Sequence, residues 1–175
     1  MTVPLALDPA RTALVLVDLM DRIVALPLAP RKGAEVLVAA QELADSFRSA
    51  GALVVLVRVE RPGVAEQPSG SGLVQGLARD GDVEIVKRTI GAFQGTGLDE
   101  RLREQGVTTC VFAGIATNLG VESTARAAGD LGYELVFVED AMAALTGPEH
   151  EASVKLDFPR LGTVARAVDV RFARG

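Results

Sequence analysis

The chain has 175 residues, 49% of them hydrophobic, and a formal net charge of −5, which suits a single domain over residues 1–175 with two buried layers. Because it has no block of Lys and Arg and no run of about 18 apolar residues, we expect neither nucleic acid nor a membrane as a partner. The N-terminal segment has no basic start followed by an apolar stretch, so we expect a cytoplasmic protein.

The first half of the chain alternates strand-like runs with a helical pattern. Thr12–Val17 (TALVLV) is a short run rich in β-branched residues, typical of a strand buried on both faces of a parallel sheet. In residues 31–50 apolar side chains recur every three or four positions, which predicts an amphipathic helix that ends before Gly51. Residues 52–59 predict a second buried strand. The glycines and prolines of residues 61–82 predict a long loop with room for one helical turn.

The second half of the chain continues this alternation. Further strands are predicted over residues 83–87, 108–115, 134–138 and 162–168. Further helices are predicted over residues 97–105, 118–131 and 148–156. Strands that alternate with helices of this length imply βαβ crossovers and a parallel sheet. The predicted fold is therefore a three-layer α/β/α architecture of Rossmann-like type, with a central, mostly parallel six-stranded sheet.

Three chemically suggestive places follow predicted strands: Asp18, Lys87 and residues 116–120. Ligands of parallel sheets bind beyond the carboxyl ends of the strands, so we expect these places to converge on one pocket. Burial would raise the pKa of Asp18 and suit it to proton transfer, while a nearby lysine would lower it again; alternatively, Asp18 caps the turn after its strand. Lys87 either holds Asp18 ionised, orients a substrate oxygen, or is a solvated lysine at a strand end.

The sequence is poorly supplied with groups for a metal or a nucleotide cofactor. One Cys and one His cannot provide the three or four ligands that zinc usually draws from these residue types. No G-x-G-x-x-G motif follows the first strand, as a dinucleotide site would require. We therefore expect no cofactor and no metal. Cys110 lies inside a predicted strand, where a free cysteine is usually a small core residue.

Residues 114–126, GIATNLGVESTAR, resemble the signature of the isochorismatase-like (cysteine hydrolase) superfamily, G-[IV]-x-T-x-x-C-V-x-x-T-A-x. Residues 16–18 (LVD) match the aspartate motif of this superfamily, and residues 86–93 (VKRTIGAF) match its lysine motif. Together the three motifs cover most of the chain in the family's order. The resemblance implies the isochorismatase-like hydrolase fold, with Asp18 as the catalytic acid or base and Lys87 as its partner.

The chain departs from the family pattern at Gly120, which stands at the position of the catalytic cysteine. Amidases of the family attack a carbonyl with that thiolate, so this mechanism is excluded here, and Cys110 is too far along the strand to replace it. The histidines that bind metal in nicotinamidases have no counterparts in residues 58–67. True isochorismatases also carry glycine at this position. They hydrolyse a vinyl ether, which needs an acid and a positioned water but no protein nucleophile.

The resemblance therefore predicts a hydrolase that acts on a small molecule without a cysteine nucleophile. In the favoured hypothesis Asp18 is the general acid for vinyl-ether hydrolysis and Gly120 leaves room for water or substrate. One alternative is a catalytically silent relative that binds a small ligand or serves as an oligomeric scaffold. Another is an amide hydrolase that uses an activated water. The family commonly forms homodimers or homotetramers, and we expect one of these states.

The resemblance also implies further substrate-binding positions. A cis peptide between Ile115 and Ala116 would direct N–H groups of the turn into the pocket. The other candidates in the pocket wall are Phe93, Gln94, Ile115, Ala116, Thr117 and Asn118. Thr117 and Asn118 are better explained as caps of the following helix, and Phe93 has an equally plausible place in the core.

Some charged side chains have alternative interpretations. Three arginines could pair with a carboxylate of the substrate, namely Arg58, Arg61 and Arg88. Each of them is more often a surface charge. His150 is expected to be solvated on its helix. The loop over residues 61–82 is expected to shape specificity.

Overall fold

The structure is a computed structural model that describes residues 5–173. Within these residues the strands are β1 (Leu5–Leu7), β2 (Thr12–Val17), β3 (Leu53–Val59), β4 (Val83–Lys87), β5 (Thr109–Ile115), β6 (Glu134–Ala143), β7 (Thr163–Ala165) and β8 (Val170–Phe172). Six of them form one sheet in the order β4-β3-β2-β5-β6-β7, and every neighbouring pair is parallel. The short strands β1 and β8 pair separately. This confirms the predicted six-stranded parallel sheet.

Helices cover both faces of the sheet. They are α1 (Asp21–Val24), α2 (Gly33–Ser49), α3 (Leu98–Glu104), α4 (Glu122–Asp130), α5 (Gly147–Ala152) and α6 (Phe158–Leu161). One turn of π-helix, Thr117–Val121, leads into α4, and another, Ser153–Asp157, links α5 to α6. Side chains of α2 pack with Leu14 and Leu16 on one face of the sheet. Those of α3, α4 and α6 pack with Val15 and Val17 on the other, which gives the predicted three layers.

The strand register brings several chain ends to one edge of the sheet. Val17, the last residue of β2, pairs with Val57 of β3 and with Gly114 of β5. Lys87, the last residue of β4, pairs with Val59. Gly114 has a φ of 120°, and a Cβ at this position would overlap the carbonyl oxygen of Val17. Only glycine allows this close approach of two backbones, which fixes the edge where Asp18 emerges.

The structure corrects several predicted boundaries. Strand β6 does not end at residue 138 but runs to Ala143, with a register shift against β5 between Phe112 and Gly114. The half-buried carboxylates Glu139 and Asp140 interrupt its apolar run, which is why the sequence pattern resembled a strand end. Strand β7 is shorter than the predicted range of 162–168. The unpredicted elements β1, β8, α1 and α6 have three or four residues each, which is too few side chains for a periodic pattern.

Candidate active site

Asp18, Lys87 and Gly120 meet at the carboxyl edge of the sheet. Lys87 Nζ lies 2.9 Å from Asp18 Oδ2, and it also donates a hydrogen bond of 2.6 Å to the carbonyl oxygen of Ile90. Asp18 is 6% exposed and Lys87 is 2% exposed. The alternative interpretation of Lys87 as a solvated lysine is therefore wrong, and the three positions lie together as predicted.

The backbone of Asp18 is unusual. Its φ is 54°, in the left-handed region that residues other than glycine seldom occupy and that often marks a functional site. The neighbouring strand and the next turn hold it there: Asp18 N donates to the Val57 carbonyl at 2.9 Å, and Met20 N donates to the Asp18 carbonyl at 2.8 Å. The carboxylate is thus turned away from the strand direction and toward Lys87.

The two carboxylate oxygens of Asp18 have different surroundings. Oδ2 contacts the ammonium group of Lys87, whereas Oδ1 is buried and has no hydrogen-bond partner among the described residues. Burial raises the pKa of Asp18 above its ordinary value, and the charges of Lys87 and, more weakly, Arg22 oppose this rise. A carboxyl group with one unpaired oxygen and a raised pKa can hold a proton and exchange it with a ligand.

Gly120 faces this pair without a side chain. A Cβ on Gly120 would lie 3.2 Å from Lys87 Nζ, 3.4 Å from Asp18 Oδ2 and 3.0 Å from Cγ1 of Val17. Any side chain at residue 120 would therefore point at the ion pair. A side chain there would be crowded by these three groups, and glycine lets the cavity described below reach Asp18 and Lys87.

The turn that carries Gly120 is held from two sides. The Ile115–Ala116 peptide bond is cis, as predicted, and Ala116 accepts backbone hydrogen bonds from the N–H groups of Leu119 and Val121. Thr124 Oγ1 donates to the Gly120 carbonyl at 2.6 Å and accepts from the N–H of Ala92 at 3.1 Å. The direction of the turn's N–H groups into the pocket stays a prediction.

A cavity of about 460 Å³ opens above Asp18, Lys87 and Gly120. Its wall includes Ile115 and Ala116, as predicted. Its mouth is apolar, and the exposed aliphatic side chains that line it are Leu26, Ile90, Leu119 and Leu145. Charged side chains also line it, namely Arg22, Glu60, Arg61 and Arg88. The volume suits a small organic molecule with a polar end and an apolar body.

The other predicted wall residues lie outside this cavity. Phe93 and Gln94 line a neighbouring surface depression, because the ring of Phe93 turns toward Tyr133, with 6.2 Å between the ring centroids. Thr117 and Asn118 are not in the cavity wall either. The capping prediction for these two residues is wrong, since no side chain caps the helical turn they begin. Thr117 is fully buried, and Asn118 Oδ1 is buried without a hydrogen-bond partner among the described residues.

His150 is not solvated, contrary to the sequence-based expectation. It is 3% exposed, and its Nδ1 lies 2.7 Å from Thr117 Oγ1. Burial lowers the pKa of its imidazole, and the charge of Arg31 lowers it further, while Glu139 and Glu151 oppose the change. No local sequence pattern predicts this contact, because Thr117 and His150 are 33 positions apart.

The three arginines named as possible carboxylate partners differ in their surroundings. Arg58 is bound to Glu84 and Glu60, at 2.6 and 2.7 Å. Arg88 is bound to Glu60 at 3.0 Å. The Arg61 side chain lines the cavity and forms no ion pair at 4 Å or less with any residue from 5 to 173. Arg61 is therefore the one of the three whose guanidinium is available to a ligand.

Cys110 is fully buried within β5, as expected of a core residue. Burial raises the pKa of its thiol to about 12, so it remains protonated at neutral pH. In residues 5–173 no three Cys, His, Asp or Glu side chains come together as ligands for a metal ion. Nor is any helix in this part of the chain long and apolar enough to cross a membrane.

Comparison with known proteins identifies the family of the chain. The sequence profile of the isochorismatase domain matches residues 12–169. The chain is 37% identical to the isochorismatase family protein YecD of Escherichia coli O157:H7, over 95% of this chain and 97% of that protein. An isochorismatase family protein from Burkholderia thailandensis has a similar structure, with a TM-score of 0.84, 36% identity and 97% of each chain covered.

A third relative is a named enzyme. The N-carbamoylsarcosine amidase of Thermoplasma acidophilum superposes with a TM-score of 0.78 and 28% identity, covering 90% of this chain and 96% of that one. The match of the domain profile spans most of the sequence, and the YecD relationship extends over nearly the whole length of both proteins. The chain therefore belongs to the isochorismatase family and is an isochorismatase-like hydrolase.

Proposed function

We propose that the protein hydrolyses a small enol ether, with Asp18 as the general acid and water as the nucleophile. The observation that carries this proposal is the buried Asp18–Lys87 pair, which lies next to Gly120 in the wall of the cavity. The only cysteine of the chain, Cys110, is buried in β5. The reaction must therefore proceed without a thiolate.

Asp18 has the properties of a general acid that protonates a carbon atom. Its Oδ2 is occupied by Lys87, so the proton resides on Oδ1, which has no other partner among the described residues. Because the pKa of this carboxyl is raised, Asp18 stays protonated at higher pH than an ordinary aspartate does. After the proton has been transferred, the ammonium group of Lys87 stabilises the carboxylate that remains.

The reaction then follows in balanced steps. Asp18 gives its proton to the terminal carbon of the C=C bond, and the ether oxygen stabilises the resulting cation. Water adds to the cationic carbon and returns a proton to Asp18. The hemiketal that forms breaks its C–O bond, and the products are an alcohol and a carbonyl compound.

The cavity supports a substrate with an anionic group and an apolar body. Arg61 presents a guanidinium without an ion-pair partner among the described residues, and guanidinium groups bind carboxylates in a bidentate manner. Four aliphatic side chains at the mouth would cover the apolar part. The cavity of about 460 Å³ limits the substrate to a small molecule.

Hydrolysis in D₂O tests the proposal. A panel of small enol ethers and of amides is incubated with the protein, and products are followed by NMR. Protonation at carbon leaves one deuterium in the new methyl group, whereas amide hydrolysis by an activated water leaves none. Iodoacetamide should not reduce turnover, because the buried thiol of Cys110 is not used.

The same panel separates the proposal from a catalytically silent relative. If no member is turned over, while ligands of the panel still raise the melting temperature of both the wild type and Asp18→Asn, the protein is a small-ligand binder. Amide cleavage that persists after thiol alkylation would instead indicate an amidase that uses water. Deuterium in the new methyl group of the product supports the enol-ether reaction, provided that Asp18→Asn no longer forms this labelled product.

A further inference from the structure

A buried polar cluster lies directly behind the turn that carries Gly120. Thr117 and His150 are 0% and 3% exposed, and Thr117 Oγ1 lies 2.7 Å from His150 Nδ1. On the other side of the ring, His150 Nε2 lies 3.9 Å from Glu139 Oε2. Three side chains from the turn, α5 and β6 therefore form a continuous row.

The charges of the row determine where the imidazole proton lies. A carboxylate can only accept hydrogen bonds, so the tautomer that suits Glu139 carries its proton on Nε2. In that tautomer Nδ1 is the acceptor and the hydroxyl of Thr117 is the donor of their contact. The lowered pKa of His150 agrees with a neutral ring.

The far end of the row is fixed to the main chain. Arg31 Nη1 donates to the Glu139 carbonyl at 3.1 Å, and Nη2 lies 3.4 Å from Glu139 Oε2. Next to Arg31, Ala29 and Ala144 exchange two backbone hydrogen bonds of 2.9 and 2.8 Å. Arg31 thus holds Glu139, whose Oε2 lies 3.9 Å from His150 Nε2, beyond hydrogen-bond distance.

Two further charges face this region. Arg166 Nε lies 4.0 Å from Glu139 Oε1, and the charge of Glu151, on α5, acts on the ring of His150. Neither residue interposes a hydrogen bond between His150 and Thr117. The hydroxyl of Thr117 therefore has one hydrogen-bond partner among the described residues, the buried Nδ1 of His150.

Thr117 is not itself a nucleophile, because it is fully buried and does not line the cavity. It lies between the cis peptide at Ile115–Ala116 and Gly120, so a fixed Thr117 fixes the turn. We propose that His150 is a positioning residue, which acts through Thr117 to hold Gly120 beside the Asp18–Lys87 pair. This inference deepens the proposed function, because the space at Gly120 is the place of the reaction.

A cysteine introduced at residue 120 provides a probe that needs no turnover. In Gly120→Cys the thiol would stand beside Lys87 Nζ, because a Cβ at this position lies 3.2 Å from that atom. The nearby ammonium lowers the pKa of a thiol below its ordinary value of about 8.5. This effect exceeds that of Asp18, whose Oδ2 is farther from the Cβ, at 3.4 Å, and whose raised pKa favours the neutral carboxyl. The pH midpoint of alkylation by iodoacetamide then reports how residue 120 is held. Cys110 does not interfere, since the pKa of its buried thiol is about 12.

We expect Thr117→Val and His150→Ala, each in the Gly120→Cys background, to move this midpoint upward toward 8.5. At pH 7 the alkylation rate should fall about tenfold, the equivalent of one lost hydrogen bond. His150→Asn, which places an acceptor near the position of Nδ1, should restore most of the rate. The double variant should lose no more than either single variant, since both remove one interaction.

Thr12→Val is the matched control. Thr12 is 2% exposed and donates a hydrogen bond of 2.7 Å to the Asp8 carbonyl, but it lies at the opposite, amino end of β2. This variant should lower the melting temperature without moving the alkylation midpoint. An unchanged midpoint in folded Thr117→Val would overturn the proposal, as would equal shifts in Thr117→Val and Thr12→Val.

The unmodified protein gives a second measurement. The chain has one histidine, so the ¹⁵N imidazole signals need no assignment. We expect a neutral ring at pH 7 with the proton on Nε2; a proton on Nδ1 would overturn the proposal even if the variants do not fold. Neither measurement uses an enol ether, so failure of the proposed reaction and failure of this inference are distinguishable.

Discussion

The main chain of Gly120 passes so close to Lys87 that a Cβ would lie 3.2 Å from the lysine Nζ. The Lys87 side chain can move by a few tenths of an ångström because Nζ is the end of a flexible chain. The fold therefore tolerates a small side chain at residue 120, whereas that side chain would block the part of the cavity next to the ion pair. A substitution at residue 120 should thus change activity more than stability.

Gly120→Ala should leave stability within about 1 kcal/mol of the wild type, because the backbone at this position does not have a positive φ. Turnover should fall at least about tenfold, since the methyl group occupies the place of water or substrate. The measurements are thermal unfolding and kcat/KM for the substrate found in the panel. Gly147→Ala is the control, because a Cβ there meets no atom within 4 Å. Equal activities of the two variants would contradict the assigned role of the space.

Asp18→Asn should abolish most of the activity. Asparagine keeps the shape of the side chain but cannot donate a carboxylic proton, and general acids contribute about 10²–10⁴-fold to rates. We expect kcat to fall by that factor with little change in the ligand-induced thermal shift. A variant that keeps more than about a tenth of wild-type kcat would rule out Asp18 as the acid.

Lys87→Met should change the pH profile in a defined direction. Lys87 lowers the pKa of Asp18, so its removal leaves only the weaker charge of Arg22 to oppose the effect of burial and raises that pKa further. An acid catalyst works only while protonated, so the decline of kcat/KM on the alkaline side should move to higher pH. The loss of one partner of a buried ion pair should also destabilise the fold by about 3–5 kcal/mol.

The control for this substitution is Lys155→Met. Lys155 forms an exposed ion pair with Glu151 at 2.9 Å, and its side chain is 68% exposed. Such pairs contribute little to stability. A shift of the alkaline limb in Lys155→Met, or its absence in Lys87→Met, would argue against the coupling of Asp18 and Lys87.

The buried His150 should make stability depend on pH. Its folded-state pKa is lowered, mainly by burial, so the unfolded chain takes up a proton before the folded one does. Stability is then fully present above the ordinary pKa of about 6.5 and declines as the pH falls below it. Urea unfolding at pH 7.5 and 5.5 measures this, and His150→Asn should show a smaller decline. An equal decline in both proteins would place its origin elsewhere.

The sequence predicts the residues at the carboxyl edge of the sheet more completely than the residues around them. Asp18 and Lys87 directly end apolar strands, and strand ends in a parallel sheet share one edge, so their meeting followed from local pattern. The contact of Thr117 with His150 depends on how α5 packs behind the turn, which no periodicity encodes. For the same reason the local pattern does not show that Phe93 and Gln94 line a neighbouring depression and not the cavity at Asp18.

The backbone contact between Gly114 and Val17 has a consequence for how this enzyme can change. It joins the strand that leads to Asp18 to the strand that leads into the Gly120 turn, and a Cβ at Gly114 would overlap the Val17 backbone and disturb both strands. The aliphatic side chains at the mouth project from loops and turns and are exposed to solvent. New substrate preferences are therefore best sought by substitution at Leu26, Ile90, Leu119 and Leu145. These changes reshape the mouth of the cavity and leave the contact between Gly114 and Val17 in place.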